Sequence, residues 1–343
     1  MKQRTIGKTL AVAVILLFVG VGIQPAIATI QNNSTPIYNG NILYVGGSGS
    51  GNYTKIKDAI DNASNGDTVF VYDDSSPYNE IIGIRKSICL IGEDKNTTFI
   101  DGDGTWRVVI INSKNVIISG FTIQYGEIGI ELSGSNHVIQ DNIITNINNR
   151  KNLFNSWWTI GDVYGIKIEG SNNSIVGNII NRTISYFPYC FAIGVWVSGN
   201  DNIIKNNIIS KTHGVLSIGL WISPGHYFSN HLSGNIITGN TITKTRGLFA
   251  VGLDLEWCKK TTVSKNNFIK NKRNAGFYNP LDYIKTNFWN ENYWDKQKNI
   301  PYFIRGRRHL KMIDVSFMPG DEFFIWIPWI ALDRNPAKEP YDI

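Results

Sequence analysis

The sequence is poor in cysteine, in charged residues and in long apolar runs. Its three cysteines, Cys89, Cys190 and Cys258, lie too far apart for a CxxC-type zinc site, and we expect buried thiols. Charged residues make up 17% of the chain, and a net charge of +6 does not indicate binding to nucleic acid. The apolar runs at 10–23 and 322–332 are shorter than the roughly 20 residues of a membrane-spanning helix.

The N-terminal segment has the features of an export signal. Three basic residues precede the first apolar run, and Ala26 and Ala28 follow it with the spacing of a cleavage site. This pattern predicts a signal peptide over residues 1–28, with a retained membrane anchor as the alternative. Cleavage would leave a net charge of +3 and an exported chain without a membrane span, in the extracellular medium, at the cell surface or in a periplasm-like space.

Isoleucine, asparagine and glycine are abundant instead. Asn, the β-branched residues and the 33 glycines are poor helix formers, so the composition excludes an all-helical protein and favours short strands joined by polar turns. One amphipathic helix is predicted within residues 53–64, from apolar residues spaced i, i+3, i+4 and i+7. Strands are predicted on either side of it, at 42–45 and 68–71.

Residues 80–295 repeat one pattern. An Asn-rich turn between aliphatic pairs, as in Asn202-Ile-Ile-Lys-Asn-Asn-Ile-Ile, alternates with a strand of the form Gly-aliphatic-x-aliphatic. These strands begin at Gly129, Gly165, Gly194, Gly219 and Gly252, which are 36, 29, 25 and 33 residues apart. A period of this length in strand-sized units indicates a solenoid, because one unit is too small to bury its own apolar face.

Four parts of the sequence resemble a known family: the repeats, the opening segment from Tyr44 to Val71, the repeat ending from Asn287 to Asp295 and the tail from Asn335 to Ile343. They are similar to the right-handed parallel β-helix proteins of the pectin-lyase-like superfamily, especially the NosD-like repeat proteins exported by archaea and bacteria. This superfamily includes lyases, hydrolases, epimerases and proteins without enzymatic activity.

The resemblance implies an all-β fold, a right-handed parallel β-helix with an N-terminal capping helix and a non-repetitive C-terminal cap. The expected organisation is a signal peptide (1–28), a flexible segment (29–41), an N-terminal strand and capping helix (42–79), β-helix repeats (80–295) and a C-terminal cap (296–343).

Alignment of the five glycines predicts which side chains point outward. Because strand residues alternate in direction, the second position of each repeat faces solvent, and it reads Glu131, Lys167, Trp196, Trp221 and Asp254. The fourth position also faces outward and reads Ser133, Glu169, Ser198, Ser223 and Glu256. Loops beside this surface carry Trp157, Trp158, His213 and Arg246.

Aromatic rings flanked by carboxylates suit sugars, because an indole covers the apolar face of a sugar ring while acids bind its hydroxyls. We therefore predict a face that binds a polysaccharide or glycoconjugate. The alternative is that Trp196 and Trp221 are buried by the loops as ordinary packing.

Catalysis at the same face is a second hypothesis. Asp254 and Glu256 are two residues apart on one strand, so their backbones lie nearly 7 Å apart, which permits retaining or inverting glycoside hydrolysis without specifying it. A lyase would need a base such as Lys167, Arg246 or His213, and usually calcium. The sequence lacks the Asp-pair and Gly-His-Gly motifs of polygalacturonases and a calcium triad like that of pectate lyases.

A metal site and a structural role are further hypotheses. NosD-like proteins are associated with copper, and His226 and His231 share the loop over residues 223–233, although a polar loop is the favoured interpretation. No cofactor is predicted from the residues themselves. The third functional hypothesis is a structural protein whose loops contact partners in the cell envelope.

Overall fold

The computed structural model describes residues 40–150, 161–225, 231–280, 287–295, 301–311 and 324–343. Trp157, Trp158, His226 and the predicted signal peptide lie outside these ranges. The described chain is almost entirely β-structure, with one helix, α1 (Ile56–Asn62). The strands in chain order are β1 (Ile42–Val45), β2 (Thr68–Val71), β3 (Ile82–Ile84), β4 (Cys89–Gly92), β5 (Phe99–Asn112), β6 (Ile117–Ser119), β7 (Thr122–Ser133), β8 (Val138–Gln140), β9 (Ile143–Asn148), β10 (Val163–Glu169), β11 (Ser174–Val176), β12 (Ile179–Ile184), β13 (Phe191–Ser198), β14 (Ile203–Lys205), β15 (Ile208–Ser210), β16 (Leu216–Ile222), β17 (Leu232–Ser233), β18 (Ile236–Thr238), β19 (Thr241–Thr243), β20 (Phe249–Glu256), β21 (Cys258–Lys259), β22 (Thr262–Ser264), β23 (Asn267–Ile269), β24 (Ala275–Pro280), β25 (Phe288–Asn290), β26 (Tyr293–Trp294), β27 (Tyr302–Lys311) and β28 (Phe324–Asp333).

The strands stack into three parallel ladders. The first ladder, β1-β2-β4-β6-β8-β11-β14-β18-β22-β25, is a ten-stranded sheet. The second is β5-β7-β9-β12-β15-β19-β23-β26 and the third is β3-β5-β7-β10-β13-β16-β20-β24-β27. These two ladders share the long strands β5 and β7 and, together with β28, form a sixteen-stranded sheet. Successive coils visit the three ladders in turn, which confirms the parallel β-helix predicted from the repeat.

The core consists of apolar side chains stacked at equivalent positions of successive coils. In the first ladder Ile139, Ile175, Ile204 and Ile237 lie in register and are fully buried. Burial of each such side chain contributes about 1.5–3 kcal/mol relative to exposure, so the stacked rows supply most of the stability of the fold. A repeat that places an inward aliphatic at the same position of successive coils therefore builds these rows of the core.

Asparagines form a buried hydrogen-bonded ladder at the turn between the first and second ladders. Asn178 donates its backbone N–H and its Nδ2 to Oδ1 of Asn207, at 2.9 and 3.1 Å, and its Nδ2 also reaches the carbonyl of Ile139 at 2.8 Å. The same pattern links Asn142, Asn178, Asn207, Asn240, Asn266 and Asn292. These bonds satisfy buried donors that would otherwise be costly, which explains the asparagine-rich turns.

Helix α1 closes the N-terminal end of the solenoid. It buries Ile56, Ala59 and Ile60, as the helical spacing predicts, although it is shorter than residues 53–64. The carboxylate of Glu80 accepts the first helical N–H groups, and Lys86 Nζ donates to three carbonyls at the C-terminal end. These charges have the sign that each helix end favours. Since β1 pairs with β2 and β2 pairs with β4, the first ladder begins well before residue 80.

The C-terminal tail covers the opposite end. Strands β27 and β28 form an antiparallel pair, and Tyr302 stacks on Trp294 at a centroid distance of 4.2 Å. The buried carboxylate of Asp333 accepts the backbone N–H and Nδ2 of Asn292, so it ends the asparagine ladder. The tail therefore caps the solenoid, as expected.

Two further predictions concern thiols and membrane spans. The three cysteines are buried. No helix within the described ranges combines the length and the apolar character needed to cross a membrane.

Candidate functional site

The outward-facing side of the third ladder carries the predicted site. Backbone pairing joins the first outward row in the predicted order: Glu131, Lys167, Trp196, Trp221 and Asp254. The second row, two residues further along each strand, contains Ser133, Glu169, Ser198, Ser223 and Glu256. We refer to these two rows as the outward face.

The end of the outward face nearest the N-terminus is a network of ion pairs. Glu131 Oε2 lies 2.6 Å from Arg107 Nε, and Glu131 Oε1 lies 2.8 Å from Lys167 Nζ. Lys167 Nζ also lies 3.0 Å from Glu169 Oε1. Burial lowers the pKa of Lys167, but its two carboxylate partners outweigh burial and raise the pKa above its ordinary value. The buried Glu131 carboxylate thus has two cationic partners.

The middle of the outward face is a small aromatic cluster. The ring centroids of Trp196 and Tyr164 lie 6.0 Å apart. Trp221 stacks on Phe191 with a centroid distance of 5.4 Å and an interplanar angle of 26°. Trp196 is only 8% exposed and Lys167 Nζ lies 5.5 Å above its ring, whereas Trp221 is half-buried. Trp196 therefore serves mainly as packing, and Trp221 retains some accessible surface.

The C-terminal end of the outward face holds two carboxyls with raised pKa values. Burial raises the pKa of Asp254 to about 6, and Arg273, whose Nη2 lies 3.9 Å from Asp254 Oδ2, limits the rise. Burial raises the pKa of Glu256 to about 7, and the charge of Asp254 adds to this effect. Ser223 Oγ donates to Glu256 Oε2 at 2.8 Å and lowers the pKa of Glu256 in part.

The indole of Trp221 also lies close to Glu256. It favours the ionised carboxylate and so lowers the pKa of Glu256, although no hydrogen bond of good geometry joins Trp221 Nε1 to it. An indole N–H beside a carboxyl provides a donor that a small movement could align. This contact places an aromatic ring directly beside the acidic pair.

Two residues of the following coil complete the acidic end. Gly276 lies beside Asp254, and a Cβ at this position would lie 2.8 Å from Arg273 Nη2 and 3.0 Å from Asp254 Oδ1. Tyr278 lies beside Glu256, and burial together with the Glu256 charge raises the pKa of Tyr278 to about 12. The glycine thus leaves room for the guanidinium to approach the carboxyl.

The acidic end has the groups that acid–base chemistry requires. Carboxyls that exchange protons between about pH 6 and pH 7 can act as general acid and base near neutrality. Within the described ranges no three His, Cys, Asp or Glu side chains are grouped so that they could hold a metal ion. The chemistry available at the acidic end is proton transfer.

Comparison with known proteins finds similar solved structures but no matching family model. No family model matches the chain, and no curated protein matches it. The solved structures similar to it include pectin methylesterase PemA from Erwinia chrysanthemi, with 12% identity and a TM-score of 0.39 over 74% of this chain and 82% of that one.

Two further neighbours are alginate lyases. The enzyme from Paenibacillus sp. str. FPU-7 has 13% identity and a TM-score of 0.36 over 73% of this chain and 90% of its own. The PL6 family enzyme AlyGC has 10% identity and a TM-score of 0.29 over 73% of this chain and 51% of its own. The fold assignment rests on the strand pairing described above, and the function rests on the site's own residues.

Three other predicted residues lie elsewhere. His213 and Arg246 are exposed and bridge to each other in the turns before β16 and β20, and no hydrogen bond, ion pair or ring contact among the described residues links them to the outward face. His231 packs edge-to-face on Trp257 at 5.5 Å. His226 lies outside the described residues, so the copper hypothesis stays a prediction.

The sequence reasoning missed Arg107, Arg273, Tyr278 and Glu127. Arg107, Arg273 and Tyr278 belong to coils that lack the repeated glycine, because Val108 and Asn274 occupy its position. Tyr278 could have been found by extending the strand register from Glu256 to the next coil. Glu127 is 4% exposed, and burial raises its pKa to about 7. Glu127 precedes Gly129, the first residue of its aligned repeat, so it lies outside the positions that the repeat compares.

Proposed function

We propose that this chain is an exported protein that binds a polysaccharide on the outward face and hydrolyses it with Asp254 and Glu256. One observation carries the proposal: two carboxyls on the same side of β20 have pKa values raised to about 6 and about 7. Strongly perturbed carboxyl pKa values cluster at functional sites, and this supports a role in proton transfer. Export is proposed from the N-terminal pattern, and kinship with NosD-like proteins stays a prediction.

The pKa values assign different roles to the two carboxyls. Glu256, which keeps its proton to higher pH, is the general acid that protonates the glycosidic oxygen as the bond to the anomeric carbon breaks. Asp254 ionises first and is the base that takes a proton from the attacking water, whose oxygen joins the anomeric carbon. Trp221 and Arg273 lie beside the pair and would orient the sugar.

Reducing-end release from a panel of neutral and acidic polysaccharides tests this proposal. Glu256→Gln and Asp254→Asn should each lower the rate about 10²–10⁴-fold, the usual contribution of a general acid or base. The pH profile should be bell-shaped, with limbs near the two pKa values. The matched changes Glu339→Gln and Asp342→Asn, in the exposed tail, should leave the rate unchanged. Equal rates in all four variants would contradict hydrolysis at this pair.

Binding without hydrolysis is a second candidate, favoured by the aromatic cluster around Trp196 and Trp221. Titration of tryptophan fluorescence with the same panel separates the two functions. A saturable response that the Trp196→Ala/Trp221→Ala variant loses, together with no release of reducing ends, would identify a binding protein. No response to any glycan would favour a structural role with partners in the cell envelope.

A further inference from the structure

A second charged surface lies on the edge where the second ladder turns into the third. At the end of each strand of the second ladder, one residue adopts a left-handed backbone conformation, with φ near +60°. In four successive coils that residue is a cation: Arg182, Lys211, Lys244 and Lys270. All four side chains are exposed, so the coils present a column of like charge.

Backbone hydrogen bonds hold this column in register. The N–H of Lys211 donates to the carbonyl of Thr243 at 3.2 Å, and the N–H of Lys244 donates to that of Ile269 at 3.1 Å. Adjacent parallel strands are about 4.8 Å apart, so four cations span about 14 Å along the solenoid. The column ends at Asp295, whose carboxylate accepts the backbone N–H of Lys270.

A second basic column runs beside the first, two residues further along each turn. Its members are His213, Arg246 and Lys272, which are linked by backbone bonds through the preceding threonines. The residue between the two columns points inward and is buried, as at Thr212 and Thr245, so both columns face solvent. We refer to the two columns together as the basic edge: Arg182, Lys211, His213, Lys244, Arg246, Lys270 and Lys272.

The backbone does not explain this choice of residues. Glycine, Asn and Asp tolerate the left-handed conformation best, and lysine offers no advantage there. The turn between the first and second ladders needs the same conformation and uses Asp141, Gly177, Asn206, Gly239, Lys265 and Glu291. In that turn Lys265 Nζ lies 3.7 Å from Glu291 Oε2, so its charges are of both signs and partly paired.

Like charges in register on neighbouring strands repel one another and destabilise the sheet. Within the described part of the chain, none of the seven side chains of the basic edge forms an ion pair with a carboxylate. Their repulsion is therefore relieved best by an external polyanion. A linear polymer with regularly spaced acidic groups matches a straight column of regularly spaced cations.

Apolar side chains flank the basic edge. Val215, Leu248 and Phe249 follow two or three residues after the second column and are 36%, 62% and 64% exposed, and Tyr186 occupies the corresponding place one coil earlier. Exposed rings and aliphatics provide surfaces for the apolar faces of sugar rings. A strip of cations beside a strip of apolar groups therefore suits an acidic polysaccharide.

We propose that the basic edge is a binding site for an acidic polysaccharide, separate from the outward face. The polymer lies along the solenoid axis, with its acidic groups on the two basic columns and its sugar rings on the apolar strip. This site does not depend on Asp254 and Glu256. Its role would be to hold a long acidic glycan alongside the coils.

Calorimetric titration of the full chain with alginate, a polyuronate, tests the proposal, with neutral dextran as the comparison. The Lys211→Gln/Lys244→Gln/Lys270→Gln variant should bind alginate about tenfold more weakly, because three exposed ion pairs are lost. The Lys211→Arg/Lys244→Arg/Lys270→Arg variant keeps the charges and should bind like the wild type. Binding should weaken strongly when NaCl is raised from about 0.01 M to about 0.15 M.

Two controls make the result specific. Lys114→Gln/Lys260→Gln/Lys338→Gln removes three exposed lysines elsewhere and should change binding less than twofold. In an Asp254→Asn/Glu256→Gln background the three lysine-to-glutamine changes should still weaken alginate binding about tenfold, so a failure of the proposed hydrolysis is distinguishable from a failure of this site. If the glutamine variant fails to fold, His213→Gln/Arg246→Gln on the second column takes its place.

Three outcomes would overturn the proposal. The first is equal weakening by the two triple glutamine variants, which would reduce the effect to net charge. The second is equal affinity for dextran and alginate. The third is tighter binding to duplex DNA or to anionic lipid vesicles than to alginate, which would assign the basic edge to another class of partner.

Discussion

The two ends of the outward face each carry a largely buried carboxyl at an equivalent position, but the charged partners of the two carboxyls differ. Glu131 and Asp254 occupy equivalent places on β7 and β20, and both are largely buried. Glu131 has Lys167 and Arg107 in contact, at 2.8 and 2.6 Å. Among the described residues Asp254 pairs with Arg273, at 3.9 Å, and burial raises the pKa of Asp254 to about 6.

The difference follows from the side chains that neighbouring coils supply, because both Arg107 and Lys167 reach Glu131. The residue beside Glu131 in the next coil is Lys167, whereas the residue beside Asp254 in the previous coil is Trp221. A cation there compensates the buried carboxylate, while an indole removes water and supplies no charge. In this solenoid the side chains of the neighbouring coils therefore determine whether a buried carboxyl has close cationic partners.

The largest expected effect is on the pH dependence of stability. Because burial raises the pKa values of Asp254 and Glu256 above their unfolded values, the folded state holds more protons between about pH 4 and pH 7. The free energy of unfolding should fall as pH rises through this window, by about 6 kcal/mol for the pair. Denaturant unfolding at a series of pH values measures this loss.

The variant Asp254→Asn/Glu256→Gln should have a flatter stability profile and be the more stable protein above about pH 7. Glu339→Gln/Asp342→Asn, which removes two exposed carboxyls from the tail, is its control and should follow the wild type. Parallel curves for wild type and the Asp254/Glu256 variant would show that the acidic end is not desolvated.

The charged end should depend on its ion pairs for stability. Lys167→Met leaves Glu131 with Arg107 as its remaining partner and should lower the free energy of unfolding by about 3 kcal/mol. The control is Lys265→Met, because the Lys265–Glu291 pair is exposed and its loss should cost less than about 1 kcal/mol. Similar losses in the two variants would remove the distinction between the charged end and an ordinary surface pair.

The comparison is sharpened by moving a cation to the acidic end. Trp221→Lys places an ammonium in register with Asp254, as Lys167 lies in register with Glu131. The pKa of Asp254 should fall by about one unit from its value of about 6, because an adjacent opposite charge favours the carboxylate. Carboxyl titration by NMR measures the shift, and Trp221→Met, which adds no charge, should not produce it.

The repeat made much of this face predictable. Glycines at a fixed place in successive coils set the register, and strand alternation then sorted the inward aliphatics from the outward Glu131, Lys167, Trp196 and Trp221. The asparagine turns were equally informative, because a buried amide ladder needs the same residue in every coil.

Features that do not repeat could not be found in this way. The exposure of Trp196 depends on the neighbours Tyr164 and Ile193, which precede the glycine marker. Arg273 reaches Asp254 from a turn rather than from a strand, so the strand repeat does not predict its position. The raised pKa values are likewise a product of three-dimensional burial, which a one-dimensional repeat does not contain.

The smallest expected effect concerns the single hydroxyl at the acidic end. Ser223 Oγ donates to Glu256 Oε2 at 2.8 Å and stabilises the carboxylate, so Ser223→Ala should raise the pKa of Glu256 by about half a unit above its value of about 7. The basic limb of the pH–rate profile, which reports the general acid, should move upward by the same amount. Ser198→Ala removes a hydroxyl from the same outward row two coils from Glu256 and should leave the limb in place. A limb that moves equally in both variants would mean that Glu256 is not the acid, since only one of the two hydroxyls touches it.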